Sequence, residues 1–494
     1  MKKSLREITS REEMKANACE NIIDEEFDHY LKSLHKEVRE TYLADSRPWV
    51  IGFSGGKDST ATLQLVWSSL KELPPEKLTK DVFVISSDTF VELPVIVDHI
   101  DKTHELINKS ADEQHFPFKA LKVTPEISNT FWVNLIGRGY PAPYSRFRWC
   151  TDRLKIEPAN KFIKEQVANY GEVVVVLGAR FSESASRSGS MSKRRVVGNS
   201  LTRHSTLPNA WVYTPIEKWQ TLEVWEYLLS YPSPWGYDNE ELKQLYQDAQ
   251  DGDCPLVVDK TTPSCGNSRF GCWSCTVVDK DLSMESLINS GETWLRPLLE
   301  FRNWLAATSD PAKKEQIRSE RRRNGKVQFK ETDAGENKLI WGPFMLEFRK
   351  IMLGKLLATQ RVLQQSTKGT DVVLISEEEL LEIRRLWLFD EGDWEDSVPQ
   401  IYKDETGQEL SILENDWAGM GGLELQILQD ICEKYNVPTG LLTELFDTER
   451  RQFGMSRRST IFNDIDKIIK KDWTSREEVL AQIRIKPDTD ETLN

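Results

Sequence analysis

A chain of 494 residues with 39% hydrophobic and 29% charged residues is long enough for two or three globular domains. Its formal net charge of −14 argues against a protein that coats nucleic acid through bulk charge. No apolar run approaches the ~18 residues of a membrane span, and no apolar stretch follows the basic start Met1-Lys2-Lys3, so a cytoplasmic protein without a membrane partner is expected.

Residues 1–46 read as a helical extension, with Phe27, Leu31, Leu34, Val38 and Tyr42 on one stripe at helical spacing. From 47 to about 230 strands and helices alternate. Strand-like runs fall at 49–53, 82–86, 120–123 and 172–177, and helix-like runs at 59–70, 93–107 and 154–169. The alternation predicts an α/β fold, a parallel sheet with helices on both faces, whose ligands bind at the carboxyl ends of the strands. Residues 180–207 carry alternating serines with Arg180, Arg187, Lys193-Arg194-Arg195, Arg203 and His204. They are too long and polar for an ordinary connection, and both a basic lid and a disordered stretch stay open.

The segment 231–280 is irregular and rich in Pro, Gly and Cys. Helical patterns follow at 283–307, 311–323, 341–365 and 377–389, then a run of acids (Asp390, Glu391, Asp393, Glu395, Asp396) facing a basic partner or solvent, then helices to about 484. Three domains are expected: the extension 1–46, a nucleotide domain 47–280 whose cysteine-rich lobe is 231–280, and a helical region 281–494 read as a docking surface. The basic runs at 193–195, 318–323 and 450–458 read first as solvated faces.

Two constellations carry chemistry. Ser54-Gly55-Gly56-Lys57-Asp58-Ser59 follows the first strand and opens a helix. Two glycines let the backbone turn sharply, and a helix N-terminus behind them favours an anion, above all phosphate. It is no Walker A loop, which needs GxxxxGK followed by Ser or Thr. The second constellation is cysteine. Seven are present, and Cys254, Cys265, Cys272 and Cys275 cluster, with Cys272-Trp273-Ser274-Cys275 a CxxC and Cys150 far upstream. Clustered thiols suggest metal, and spacing alone leaves zinc, an iron–sulfur cluster and a redox pair open. Cys19 and Cys432 fall at or within helical patterns and read as structural thiols.

The hexapeptide resembles the PP-loop, SGGxDS, of the ATP pyrophosphatase superfamily. Arg148-Trp149-Cys150-Thr151 with Leu154-Lys155, Gly178-Ala179-Arg180 with Glu183, Ser184 and Arg187, Asp88-Thr89 with Glu92, and Pro215-Ile216 with Trp225 are similar to phosphoadenylylsulfate (PAPS) reductase-like domains over about 47–230. The lobe from Thr262 to Cys275 resembles that of the DndC family, sulfurtransferases of DNA phosphorothioation. One departure is that Trp149, where the adenylylsulfate reductase branch has a second cysteine, stands beside Cys150.

The resemblance implies an enzyme that uses ATP and Mg²⁺ and carries a 4Fe-4S cluster, acting on DNA with a cysteine desulfurase as sulfur donor and other Dnd proteins as partners. By position, Ser54, Gly55, Gly56, Lys57, Asp58 and Ser59 would cradle pyrophosphate, with Lys57 on the leaving group and Asp58 near Mg²⁺. Lys57, Asp58 and Arg180 are the expected catalytic residues; Asp88, Arg180, Glu183 and Arg187 are expected around the nucleotide, Glu183 orienting the arginines. The implied cluster ligands are Cys150, Cys265, Cys272 and Cys275, with Cys254 in reserve. The alternatives are a sulfonucleotide reductase, disfavoured because no cysteine follows Cys432, and a tRNA-thiolating enzyme, disfavoured by the cysteine lobe.

Overall fold

The computed structural model describes residues 27–181, 200–249, 271–331, 337–393, 395–411, 422–435, 437–452 and 461–470. These divide into two compact units. Of the described residues, unit 1 takes in those within 27–88, 93–124 and 155–271, and unit 2 those within 89–92, 125–154 and 272–470.

Unit 1 is the expected α/β layer. Helix α1 (27–43) buries Leu31, Leu34, Val38 and Tyr42, the stripe read from the sequence. Strand β1 (Trp49–Gly52) is followed by helix α2 (Lys57–Lys71), β2 (Val82–Ser87), α3 (Pro94–Gln114) and β3 (Phe118–Val123). After the segment assigned to unit 2 come α4 (Glu157–Tyr170), β4 (Val173–Val176), β5 (Leu201–Arg203), β6 (Ala210–Tyr213), α5 (Thr221–Ser230) and α6 (Asn239–Ala249). The strand order is β3-β2-β1-β4-β6-β5, parallel except for β5, which pairs antiparallel with β6. All four residues of β1 and all four of β4 are buried, as a sheet covered on both faces requires. Val50, Ile85, Ile163, Val173 and Val175 join one apolar core of this unit.

Two elements depart from the sequence reading. Strand β5 lies inside the stretch read as irregular, because three residues are too few to show alternation. Helix α6 lies inside the segment read as irregular, although Leu242, Leu245, Tyr246 and Ala249 stand at helical spacing along it and Leu242 and Tyr246 are buried; the Pro, Gly and Cys content around that stripe obscured it.

The order fixes where a ligand belongs. The chain runs β1 to β2 to β3 outward on one side, then returns to place β4 on the other side of β1. Between β1 and β4 the direction of winding reverses, which opens a crevice at the carboxyl ends of those two strands. The PP-loop leaves β1 there, and Gly178-Ala179-Arg180 leaves β4.

Unit 2 is mainly helical, with α7 (Leu346–Gln364), α8 (Glu377–Asp390) and later helices at Ser397–Thr406, Gly422–Tyr435, Thr439–Gln452 and Ile461–Ile469. The segment 125–154 is built into it through a π-helical turn, Val133–Gly137. Trp132 donates to the Leu374 carbonyl at 2.6 Å, Trp387 to the Ile136 carbonyl at 3.0 Å, and buried Arg349 to the Gly137 carbonyl at 2.7 Å. The acidic run is largely consumed inside the unit rather than offered to a partner. Glu391 pairs with Arg349 at 2.6 Å, Asp393 with Lys350 at 3.2 Å, and Asp396 takes both faces of the Arg384 fork at 2.7 Å. Cys432 is buried on its helix. Among the described residues no helix is long and apolar enough to cross a membrane.

Candidate active site and cysteine lobe

The PP-loop is shaped by its glycines and braced by its serines. Gly55 has φ +74°, a backbone conformation that a side chain rarely adopts, and an added Cβ would lie 3.0 Å from Ile100. Gly56 caps α2 without a side-chain bond. The Ser59 hydroxyl donates to the Gly56 carbonyl at 2.9 Å and lies 3.0 Å from the Ser54 hydroxyl; the Ser54 N–H reaches Ser59 Oγ at 3.2 Å. Both serines therefore hold the turn closed across its mouth. The first N–H groups of a helix lack intrahelical acceptors, so the loop ends on an anion-favouring terminus.

Charge is concentrated just inside the helix. Lys57, Asp58 and Arg180 are all buried. The Asp58 carboxylate meets Arg180 Nε through one oxygen and Lys57 Nζ at 3.5 Å through the other. Arg180 also donates at 3.3 Å to the Trp219 carbonyl and to Thr221 Oγ1, the first residue of α5. One guanidinium thus ties the end of β4, the start of α5 and the start of α2 together. The sequence placed Asp58 beside Mg²⁺ and Arg180 on phosphate. In the structure one Asp58 oxygen faces Arg180 and the other faces Lys57.

Three residues of the site escaped the sequence reading, and a fourth was read only as part of a motif. Tyr246 of α6 accepts from the Lys57 N–H at 3.1 Å, and its ring lies 4.8 Å from the Lys57 ammonium, a cation–π contact. His99 Nε2 is 3.0 Å from the Gly55 carbonyl, and its Nδ1 is 3.0 Å from the Tyr237 hydroxyl. Burial pulls the His99 pKa down, against the Gly55 carbonyl, which favours the neutral ring donating from Nε2. Gly178 is the fourth. A Cβ there would lie 2.7 Å from the Asp58 carbonyl oxygen, so the two backbones approach more closely than any side chain permits. The signals were weak: histidine and tyrosine spacing carries no motif, whereas Gly178 did open a recognised signature.

Asp88, at the end of β2, pairs with Lys122 at 3.3 Å. Burial pulls Lys122 down, but Asp101 and Asp88 outweigh it and hold its pKa above the usual value. Beneath the loop, His104 Nε2 lies 2.8 Å from Ser86 Oγ, which itself donates to the Phe53 carbonyl at 2.7 Å. Burial, then Lys122, lowers the His104 pKa to about 4. The unfolded chain takes up that proton near pH 6.5, and the fold refuses it until about pH 4. This contribution is complete above pH 6.5 and falls as pH drops through the window, by about 3 kcal/mol in all. Urea unfolding followed by tryptophan fluorescence at pH 7 and pH 5 should show His104→Gln losing less stability than the wild type; equal losses would remove His104 as the cause.

In unit 2 the structure brings three of the predicted ligands onto one framework. Cys150 sits in the single helical turn Trp149–Thr151, and the Cys275 N–H donates to the Cys272 carbonyl at 3.1 Å, closing the CxxC turn. An aromatic chain joins their neighbours: Trp149 stacks on Phe131 at 5.4 Å, Phe131 meets Trp132 at 4.8 Å, and Trp132 meets Trp273 at 5.7 Å. Buried Arg302 donates to the carbonyls of Cys275 and Asp279, both at 2.8 Å. The Cys272 thiol is 3.5 Å from Thr89 Oγ1 and 3.8 Å from Glu92 Oε2, so Glu92, expected near nucleotide, is paired with the cysteine lobe. Thiols on a tight turn have the donor chemistry of an iron–sulfur or zinc site. Among the described residues no three His, Cys, Asp or Glu side chains are gathered into a metal-holding group. Cys265 and Cys254, with Glu183 and Arg187, lie outside the described residues.

Residues 48–278 match the phosphoadenosine phosphosulfate reductase domain. This stretch, a little under half of the chain, is similar to that domain. Residues 423–470, which hold the last three described helices, match a small protein found in certain Dnd DNA modification systems. Two uncharacterized proteins of Methanocaldococcus jannaschii are similar. MJ0066 is 27% identical over 54% of this chain and 43% of its own length; MJ0973 is 24% identical over 55% and 53%. The chain thus spans about half the length of the curated relatives it matches. Among solved structures, the U34-tRNA thiolase NcsA of Methanococcus maripaludis with its 4Fe-4S cluster is 15% identical, with TM-score 0.27, over 57% of this chain and 78% of that one. The FMN adenylyltransferase of Candida glabrata in complex with FAD and inorganic pyrophosphate is 12% identical, with TM-score 0.25, over 41% and 58%. Both of these likenesses are remote. The PAPS reductase-like stretch contains every PP-loop residue named above, and also Cys150, Cys265, Cys272 and Cys275.

Proposed function

We propose that this chain is a PP-loop sulfurtransferase that adenylates a DNA backbone phosphate so that sulfur replaces a non-bridging oxygen. A non-bridging oxygen attacks the α-phosphorus of ATP and expels pyrophosphate. Sulfide then attacks the activated DNA phosphorus and releases AMP; a persulfide would first form a P–S–S–R adduct, and a second thiol would have to attack its outer sulfur and leave as a disulfide with it to free the phosphorothioate. Activation is needed because a phosphodiester oxygen is a poor leaving group and AMP a good one. In this reading the Ser54–Ser59 turn holds the leaving pyrophosphate with backbone N–H groups and Lys57 supplies a point charge that strengthens as negative charge develops. Asp58 and Arg180 hold Lys57 and the helix start in place, and Asp88 lies at the end of the neighbouring strand.

The observation that carries the reading is the buried Lys57–Asp58–Arg180 group at the reversal between β1 and β4, in a PAPS reductase-like stretch. The match of 423–470 to a Dnd-associated small protein supports DNA as the substrate and other Dnd proteins as partners. Cys150, Cys265, Cys272 and Cys275 would hold a 4Fe-4S cluster, which would present sulfur received from a cysteine desulfurase. The test is pyrophosphate release from ATP by anaerobically purified protein, with DNA, with tRNA and with neither, beside iron and sulfide analysis. DNA-stimulated release with about four irons per chain is the expected result. Stimulation by tRNA alone would move the protein to the thiolation branch, and no release under any condition would overturn the reading.

A further inference from the structure

The basic run at 318–323, read from sequence as a solvated face, holds Arg322 and Arg323 exposed and also forms a wall of a cleft in unit 2. The cleft has a volume of about 960 Å³ and is lined by Lys314, Arg318, Arg322, Arg323, Lys330 and Lys338. Glu331 is the one carboxylate in its lining among the described residues. Asp310 acts on Lys314 against the cations around it. The wall is fixed by backbone. The Ser319 N–H donates to the Pro343 carbonyl at 2.8 Å, the Gly342 N–H to the Ser319 carbonyl at 2.7 Å, and the Arg322 N–H to the Lys326 carbonyl at 2.9 Å. Arg318 donates to the Gly342 carbonyl at 2.7 Å and lies over Phe344, and Arg323 lies over Tyr140.

Two further observations show that these cations are crowded. Strands Phe329–Glu331 and Asn337–Leu339 pair antiparallel with Lys330 directly opposite Lys338. Like charges facing across a pair weaken it, and an anion between them reverses the sign. Burial, followed by Arg318 and Lys338, lowers the pKa of Lys314; burial, opposed by Tyr144 and aided by Arg322, lowers that of Arg318 to about 10. At the rim, the turn from Tyr144 to Phe147 holds two aromatic side chains 46% and 39% exposed, with rings 6.0 Å apart. Exposed aromatic rings beside a channel of cations are the combination that takes a polynucleotide: phosphates by charge, bases by stacking.

We infer that this cleft binds a segment of nucleic acid, its phosphates on Arg322, Arg323, Lys330 and Lys338 and an unstacked base on Tyr144 or Phe147. The inference deepens the DNA reading above by naming the surface that holds the substrate. The experiment is fluorescence anisotropy of the full chain with labelled single-stranded DNA, duplex DNA and RNA of equal length, at several salt concentrations. Arg322→Ala/Lys330→Ala/Lys338→Ala should weaken binding at least tenfold and lower the salt slope by roughly two to three, with Tm unchanged or raised because a repulsive pair is gone. Tyr144→Ala/Phe147→Ala should weaken single-strand binding by roughly tenfold with the salt slope unchanged. Lys57→Ala should keep wild-type affinity while losing pyrophosphate release, so the two readings fail separately. Losses for RNA and not DNA would support the cleft and count against the DNA reaction. Wild-type affinity and slope in both cleft variants, for every probe, would overturn the inference.

Discussion

Arg180→Ala is expected to cost about 3–5 kcal/mol of stability and to reduce pyrophosphate release at least 100-fold. The stability figure follows from leaving a buried carboxylate with half of its positive surroundings removed. Asp58 and Arg180 side chains are each 4% exposed, so water does not compensate. The activity figure follows from position: when a reacting group moves by about 1 Å, rates fall by about two orders of magnitude. Lys57 is held through Asp58, and Asp58 through Arg180. Arg180→Lys keeps the charge but not the fork that spans Asp58, the Trp219 carbonyl and Thr221, and should fall between alanine and wild type. A double variant separates the two effects. Asp58→Asn/Arg180→Met replaces the ion pair by neutral groups and should recover most of the stability, because a buried pair is often replaceable at little cost. It should recover none of the activity. Urea unfolding and pyrophosphate release measure the two, and a double variant that regained activity would show that Asp58 and Arg180 do not position Lys57.

The fold was legible because parallel strands buried on both faces leave continuous apolar runs. Val173–Val176 is four valines, and Val82-Phe83-Val84-Ile85 scarcely less plain. Strand β5 was not, since its identity comes from pairing rather than from a run, and the short stripe of α6 (Leu242, Leu245, Tyr246, Ala249) was lost in a segment rich in Pro, Gly and Cys. The PP-loop was legible as a hexapeptide, but what its charges do was not. Sequence gives Asp58 a neighbour in Lys57; only the crevice between β1 and β4 supplies Arg180, 122 positions later in the numbering. The same holds for the acids at 390–396, whose partners Arg349, Lys350 and Arg384 come from α7 and α8. The assignment of 125–154 to unit 2 had no local signal either. It rests on carbonyls of Ile136 and Gly137 that accept from Trp387 and Arg349, more than 200 residues away. Charge patterning along a chain cannot tell a solvated run from one folded inward, and the acids at 390–396 are the clearest instance.

Gly178→Ala adds one methyl group and is expected to disable the loop. The new carbon would stand 2.7 Å from the Asp58 carbonyl oxygen, 2.8 Å from the Asp58 carbonyl carbon and 3.0 Å from the Ser59 nitrogen. All three are backbone atoms of the first turn of α2, so no side chain can swing aside. Either β4 or the helix start must shift, and the helix start carries Lys57 and the N–H groups proposed to hold phosphate. Overpacking of this kind costs about 1–3 kcal/mol, less than the loss of Arg180, yet the displacement falls on the reacting geometry itself. The expected result is a drop in pyrophosphate release of at least about 100-fold with only a modest fall in unfolding midpoint. Gly354→Ala is the contrast. Gly354 lies inside α7, an added Cβ would make ordinary contacts with Glu405 Oε1 at 3.6 Å and Ile401 Cγ2 at 3.8 Å, and alanine there should stabilise by about 0.5–1 kcal/mol without touching catalysis. Two identical substitutions would then move activity and stability in opposite proportions. Should Gly178→Ala retain wild-type turnover, the close approach of β4 to the loop would be packing alone, and the loop's geometry would have to be set by its serines and by His99.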